Sequence, residues 1–228
     1  MTTTKPQGAA LPSAGIFPTL YPILDVWIVL RDESPGSVAR RRVLERLARE
    51  LTEAGVTLLQ YRNKRDPDDI FLEDSLVLRE AAPSIRLILN DRAAFVRAAG
   101  AQGVHVGQGD MRPAQVRTLL GPDIHIGLST NTDDEVRAAD REPVDCIAIG
   151  PVFATASKSD TNPVVGLEGV RRARALTRKP LIAIGGISLA SAPAVLAAGA
   201  DSLAVIGAIF ASDRSPAEAA RAFLSISK

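Results

Sequence analysis

Few aromatic residues, a single cysteine and no long apolar run mark this chain, and each shortage excludes something. Aromatics make up 4% of the 228 residues, too few for a platform that stacks nucleic-acid bases. Cys146 is the lone cysteine, so no internal disulfide is possible. That suits a reducing, cytoplasmic setting. Its place in an apolar stretch predicts a small core residue. Net charge is +1 at pH 7, with 27 basic and 26 acidic side chains, which predicts no nucleic-acid or membrane partner. The arginine-rich "ARRRVLERLARE" is predicted as the solvated face of a helix. "YPILDVWIVL" is broken by Asp25 and is far shorter than the roughly 20 apolar residues of a bilayer span. No GxGxxG follows the first apolar run, which disfavours a dinucleotide fold. The first residues, "MTTTKPQGAALPSAG", have no apolar block and do not read as a signal peptide. Residues 1–19 are predicted as a mobile extension and 20–228 as one catalytic domain.

What is present is alternation. Short runs rich in Val, Ile and Leu lie at 20–24, 56–62, 86–91, 103–107, 124–130, 145–152, 180–186 and 201–209. Such runs are expected of strands buried on both faces. Helical patterns separate them. "VARRRVLERLARELTEAG" (38–55) repeats Leu44, Leu47, Ala48 and Leu51 at helical spacing and stops at Gly55. The segments 166–177 and 188–200 behave alike. Eight strands alternating with helices predict a single-domain α/β fold, the (β/α)8 TIM barrel, with an open doubly wound sheet as the alternative.

In a barrel of this kind the active site forms at the C-terminal ends of the strands. Polar residues gather there in this chain: Gln60, Arg62 and Lys64; Asn90 and Asp91; Gln108 and Asp110; Ser129 and Thr130; Thr155, Ser157 and Lys158. Gly185, Gly186, Ile206 and Gly207 close the series. Cations and carboxylates together make sense around a polyphosphate and a hard cation. Mg²⁺ takes one or two carboxylates and completes its shell with phosphate oxygens and water. The late glycines suit a second anion site built from backbone N–H groups. Each element alone has a plainer reading. "QYRNK" can be a solvated loop, "ND" a turn, "IGG" a tight turn, and Asp110 a cap for a helix near "MRPAQVRTLL". His105 and His125 lie inside strand runs and read as buried structural histidines.

The ordered set "QYRNK", "NDR", "GVHVGQGDM", "GLS", "GPVFATASK", "AIGGI" and "AVIGAI" resembles the thiamine phosphate synthase family over residues 20 to 210. The resemblance implies a transferase of thiamine biosynthesis. Such a transferase moves the pyrimidinylmethyl group of 4-amino-5-hydroxymethyl-2-methylpyrimidine pyrophosphate to the ring nitrogen of a thiazole phosphate, releasing pyrophosphate. A carboxylated acceptor would release CO2 as well, and the sequence leaves that choice and the oligomeric state open. By the same resemblance, Gln60, Tyr61, Arg62, Asn63, Lys64, Asn90, Ser129 and Lys158 hold the pyrimidine pyrophosphate. Arg62, Lys64 and Lys158 are the catalytic cations, and Asp91 and Asp110 bind Mg²⁺. Thr155, Ala156, Ser157, Gly166, Gly186, Ile206 and Gly207 surround the thiazole phosphate. The partners implied are small molecules only. The chain departs from the family pattern at Tyr61, Asn63 and Gly109, at Ser157 for threonine, and at Gly207 for serine. A thiazole tautomerase of the same superfamily and a non-catalytic thiamine-phosphate-binding protein are the alternatives. The carboxylate pair separates the synthase from the tautomerase, which has no pyrophosphate to neutralise. The cations Arg62, Lys64 and Lys158 speak against the silent binder.

Overall fold

The computed structural model describes residues 17–155 and 163–226. Its strands are β1 (Leu20–Asp25), β2 (Leu58–Arg62), β3 (Arg86–Asn90), β4 (Gly103–Val106), β5 (His125–Thr130), β6 (Cys146–Ile149), β7 (Leu181–Ile184) and β8 (Ser202–Val205). Every neighbouring pair is parallel, and β8 pairs back onto β1, so the sheet closes in sequence order. Closure rules out the open doubly wound alternative. Helices α1 (Val26–Val29), α2 (Val38–Glu53), α3 (Asp68–Ala81), α4 (Pro113–Leu120) and α5 (Asp133–Arg141) connect the first six strands, with a 3₁₀ turn (Ala93–Phe95) between β3 and β4. Helices α6 (Gly166–Leu176), α7 (Ala192–Ala197), α8 (Gly207–Phe210) and α9 (Pro216–Leu224) follow.

The alternation of side chains along each strand makes two apolar layers. The outer layer lies between strands and helices. Leu44, Leu47, Ala48 and Leu51 of α2 bury there, as their spacing predicts. Ser37 caps α2 by accepting from the Arg40 N–H at 3.1 Å. Gly55 follows the helix at φ 89°, a left-handed turn that glycine adopts without steric cost. The inner layer fills the barrel with Tyr21, Ile23, Leu58, Ile88, Cys146, Ala148, Ile182, Ala204 and Ile206.

Two boundaries differ from the sequence reading, and the segment after β1, which the sequence leaves open, takes a definite form. Phe17 packs edge-on against Tyr21, with ring centres 5.9 Å apart, and the Leu203 N–H donates to Thr19 O at 2.8 Å. Residues 17–19 therefore belong to the barrel. The run 201–209 is not one strand: β8 ends at Val205, and α8 begins at Gly207. The run after Leu24 is a short helix, because the Asp25 carboxylate accepts the Trp27 N–H at 2.9 Å and turns the chain. Cys146 and His125 sit deep in the barrel, 3.3 Å apart, with the His125 pKa lowered to about 4 by burial. Both are core residues, as predicted.

Candidate active site

The C-terminal strand ends enclose a cavity of about 370 Å³. Arg62 enters it from the end of β2, half tied by an ion pair to Asp25 at the end of β1. The two residues are register partners, so the pairing follows from the sheet itself. Lys64 lies two residues further on, its ammonium 3.1 Å from an Asp91 oxygen.

Asp91 follows β3 directly. It is the one described non-glycine residue with positive φ, at 62°. Its N–H donates to His105 O at 2.8 Å, which continues the β3–β4 ladder past the strand end. Such a conformation costs energy for most side chains and persists where surrounding contacts fix it. Here it aims the carboxylate at Asp110. Burial, together with the carboxylate of Asp110, raises the pKa of Asp91 above the usual aspartate range, against the pull of Lys64. Asp110 closes the loop after β4 by accepting the Gly107 N–H at 2.8 Å. It does not cap α4: Arg112 occupies that position, with Gln115 accepting the Arg112 N–H at 3.2 Å.

Ser129 and Asn90 also line the cavity. The Ser129 hydroxyl lies 2.9 Å from His105 Nε2. His105 is thus part of the cavity wall, which its placement within an apolar run concealed. Its ring lies over Gly127, where a Cβ would stand 2.3 Å from Nδ1, so only glycine leaves room for it. Gln108, just past the end of β4, donates to Ser129 O at 2.6 Å and lines the same wall. In the sequence Asp25 stands only as an interruption of an apolar run. That interruption was the available signal, since a carboxylate at a strand end points toward the mouth when its alternation matches the inner face.

A second hollow of about 220 Å³ adjoins the first through Thr155, Ile184 and Gly185. Gly186, Ile206 and Gly207 line it, as the sequence reading grouped them. Gly207 is the first residue of α8 and does not have a positive φ, so no left-handed backbone accounts for the glycine.

Several residues expected at the site are placed elsewhere. Tyr61 points to the outer layer, fully buried against Phe71, and its hydroxyl donates to Asp74. Alternation along β2 forces this, because its neighbours Gln60 and Arg62 face inward. Asn63 is buried behind the strand. Its amide N–H groups donate to the Tyr61 hydroxyl at 3.0 Å and to Asp66 at 3.1 Å. Arg40 joins the same cluster, 2.6 Å from both Asp66 and Asp74. Burial opposes the Arg40 charge, but the two carboxylates outweigh it and hold the guanidinium protonated. Gln60 lies deeper in the barrel, donating to the Tyr21 hydroxyl at 3.1 Å, and does not line the cavity. Gly166 starts α6 at φ 65° and lines neither hollow. Ala156, Ser157 and Lys158 lie outside the described residues.

The donor set fits a hard dication. Burial first, and the neighbouring Asp110 carboxylate after it, oppose the charge of Asp91, and a cation held between the two carboxylates would offset both. Among the described residues no group of three or more histidine, cysteine or acidic side chains is arranged to hold a metal ion by itself. A metal held here would complete its shell with substrate oxygens and water, the habit of Mg²⁺ rather than of a protein-caged ion.

Comparisons with known proteins place the chain within one family. The family described as thiamine monophosphate synthase matches residues 31–209. The thiamine-phosphate synthase of Koribacter versatilis is 43% identical over 210 residues, covering 92% of this chain and 95% of the relative. That of Albidiferax ferrireducens is 44% identical over 172 residues, covering 75% and 78%. Among solved structures, thiamine phosphate pyrophosphorylase from Pyrococcus furiosus superposes with a TM-score of 0.76 at 28% identity, covering 90% of this chain and 93% of that one. The chain belongs to the thiamine monophosphate synthase family.

Proposed function

We propose that this chain is a thiamine-phosphate synthase that uses Mg²⁺ bound through Asp91 and Asp110. It transfers the pyrimidinylmethyl group of its pyrophosphate donor to the ring nitrogen of thiazole phosphate. The bond from the exocyclic CH2 to the pyrophosphate oxygen breaks, and its electron pair leaves on that oxygen. The amino group of the pyrimidine feeds electrons toward the CH2 carbon. The thiazole nitrogen then supplies the pair for the new C–N bond. No proton has to be removed to make that bond.

The chain's own residues have two tasks. Arg62 and Lys64 offset charge on the departing pyrophosphate, and Asn90 and Ser129 orient the donor. Alignment of nitrogen and carbon comes from the adjoining hollow, where Gly186, Ile206 and Gly207 receive the thiazole phosphate. Bound Mg²⁺ supplies further stabilisation of charge on the pyrophosphate. Lys158, which follows β6 in the sequence, belongs to the same pyrophosphate-binding set by family resemblance. The reaction partners are small molecules, and among the described residues no helix is long and apolar enough to cross a membrane. A cytoplasmic site of action suits a chain with one buried thiol.

The observation that carries this reading is the meeting of Arg62, Lys64, Asp91 and Asp110 on one cavity beside a glycine-lined hollow. A thiazole isomerase has no pyrophosphate to neutralise and no use for that set. The test is to mix the pyrimidine pyrophosphate, thiazole phosphate and Mg²⁺ with the protein. Pyrophosphate and thiamine phosphate should appear in equal amounts. Isomerisation of the thiazole without release of pyrophosphate would overturn the assignment.

A further inference from the structure

We propose that Asp25 is a positioning residue that fixes the guanidinium of Arg62 for the departing pyrophosphate. The inference rests on the reading that Arg62 contacts that group. Asp25 is 1% exposed, and among the described residues it does not line the cavity, whereas Arg62 does. One carboxylate oxygen accepts the Trp27 N–H at 2.9 Å, and the other pairs with Arg62 Nη1. The carboxylate is therefore held at both ends, by the backbone of α1 and by the guanidinium.

Its presence needs a reason. A buried negative charge beside an anion site opposes anion binding. On charge alone the site would bind pyrophosphate better without it. An arginine recognises phosphate through a planar fork, however, and the fork works only when its orientation is set. Arg62 has only 11% of its side chain exposed, and Asp25 is the only carboxylate to which the described residues pair it. Lys64, by contrast, is 52% exposed and pairs with Asp91. Of the two described cations, Arg62 is thus the one with a dedicated anchor away from substrate. Asp25 also caps α1, which ties the segment after β1 to the same guanidinium.

Charge and orientation predict opposite results, which makes the proposal testable. Asp25→Asn keeps the volume and one acceptor oxygen, so it serves Trp27 or Arg62 but not both. Asp25→Ser keeps a helix cap yet is too short to reach Arg62. Both variants, Arg62→Ala and the Asp25→Asn/Arg62→Ala double variant are assayed for turnover. Melting and the affinity for Mg²⁺-pyrophosphate are measured alongside. We expect the Asp25 variants to lose roughly 10- to 100-fold in kcat, the usual scale for a misplaced group. Their pyrophosphate affinity should be unchanged or tighter. In the Arg62→Ala background, Asp25→Asn should cost nothing further, because the two act as one unit. Wild-type kcat in Asp25→Ser would show that the carboxylate only caps α1 and would overturn the proposal. Full additivity in the double variant, or a loss of melting temperature that parallels the loss of rate, would overturn it as well. Wild-type kinetics in Arg62→Ala would instead overturn the pyrophosphate reading of Arg62 and remove the basis of the inference.

Discussion

At the scale of single residues, Asp91 carries the most information. Its left-handed backbone is tolerated by Asn and Asp better than by other non-glycine residues. Asp91→Ala should therefore destabilise the fold by about 1 kcal/mol or more as well as abolish metal activation, whereas Asp91→Asn should affect activation alone. Thermal melts and activity on both variants check this. Its raised pKa sets a direction for pH. The protonated form of Asp91 persists to higher pH than in a free aspartate, and a metal ligand must be deprotonated. The Mg²⁺ concentration for half-maximal rate should climb as pH falls, starting above the ordinary carboxylate range. A half-maximal concentration independent of pH would contradict this. Gly207 gives a second residue-scale expectation. It opens α8 in a helical conformation, so a serine meets no left-handed backbone there. Gly207→Ser should tighten thiazole phosphate binding by roughly 0.5–1.5 kcal/mol, the net worth of one hydrogen bond. A weaker KM for thiazole phosphate would refute it.

At the scale of elements, β2 and its following loop show what the sequence could and could not disclose. The run "VTLLQYRNK" reveals a strand and a cationic end, and both are present. It does not reveal that Tyr61 and Asn63 turn outward. Alternation by itself assigns two faces but does not say which one meets the cavity. What holds them outward is Asp74, Asp66 and Arg40, which come from α2, α3 and the loop between β2 and α3. No local pattern links those positions. The cluster fixes the loop bearing Lys64, since the N–H groups of Arg65 and Asp66 donate to the Asn63 side chain at 3.0 and 2.9 Å. Tyr61→Phe should accordingly cost about 1–3 kcal/mol of stability by leaving buried polar groups short of a partner. Its kcat should stay close to wild type when assayed well below the melting transition. A kcat collapse with an unchanged melt would instead place Tyr61 in contact with substrate. His105 was obscured for a related reason. Its apolar neighbours describe the outer face of β4, and only the register with Gly127 shows the ring reaching the cavity.

At the scale of the whole molecule, the barrel turns sequence order into spatial convergence. Polar residues at successive strand ends share one mouth because every strand is parallel and the sheet closes. This is why the carboxylates, cations and late glycines were legible as a group although each alone fits a turn or a cap. Depth was not legible: Gln60 is on the inner face, yet one step too low to reach the cavity. Asp91 and Asp110 are the proposed seat of Mg²⁺ on the pyrophosphate. The most direct measurement is the initial rate of pyrophosphate release against Mg²⁺ concentration, for wild type, Asp91→Asn and Asp110→Asn, with thermal melts alongside. Both variants should melt close to wild type, require far more Mg²⁺, and recover part of their rate at high concentration. Full wild-type activity in excess EDTA, or an Asp110→Asn curve that overlays the wild type, would contradict the account.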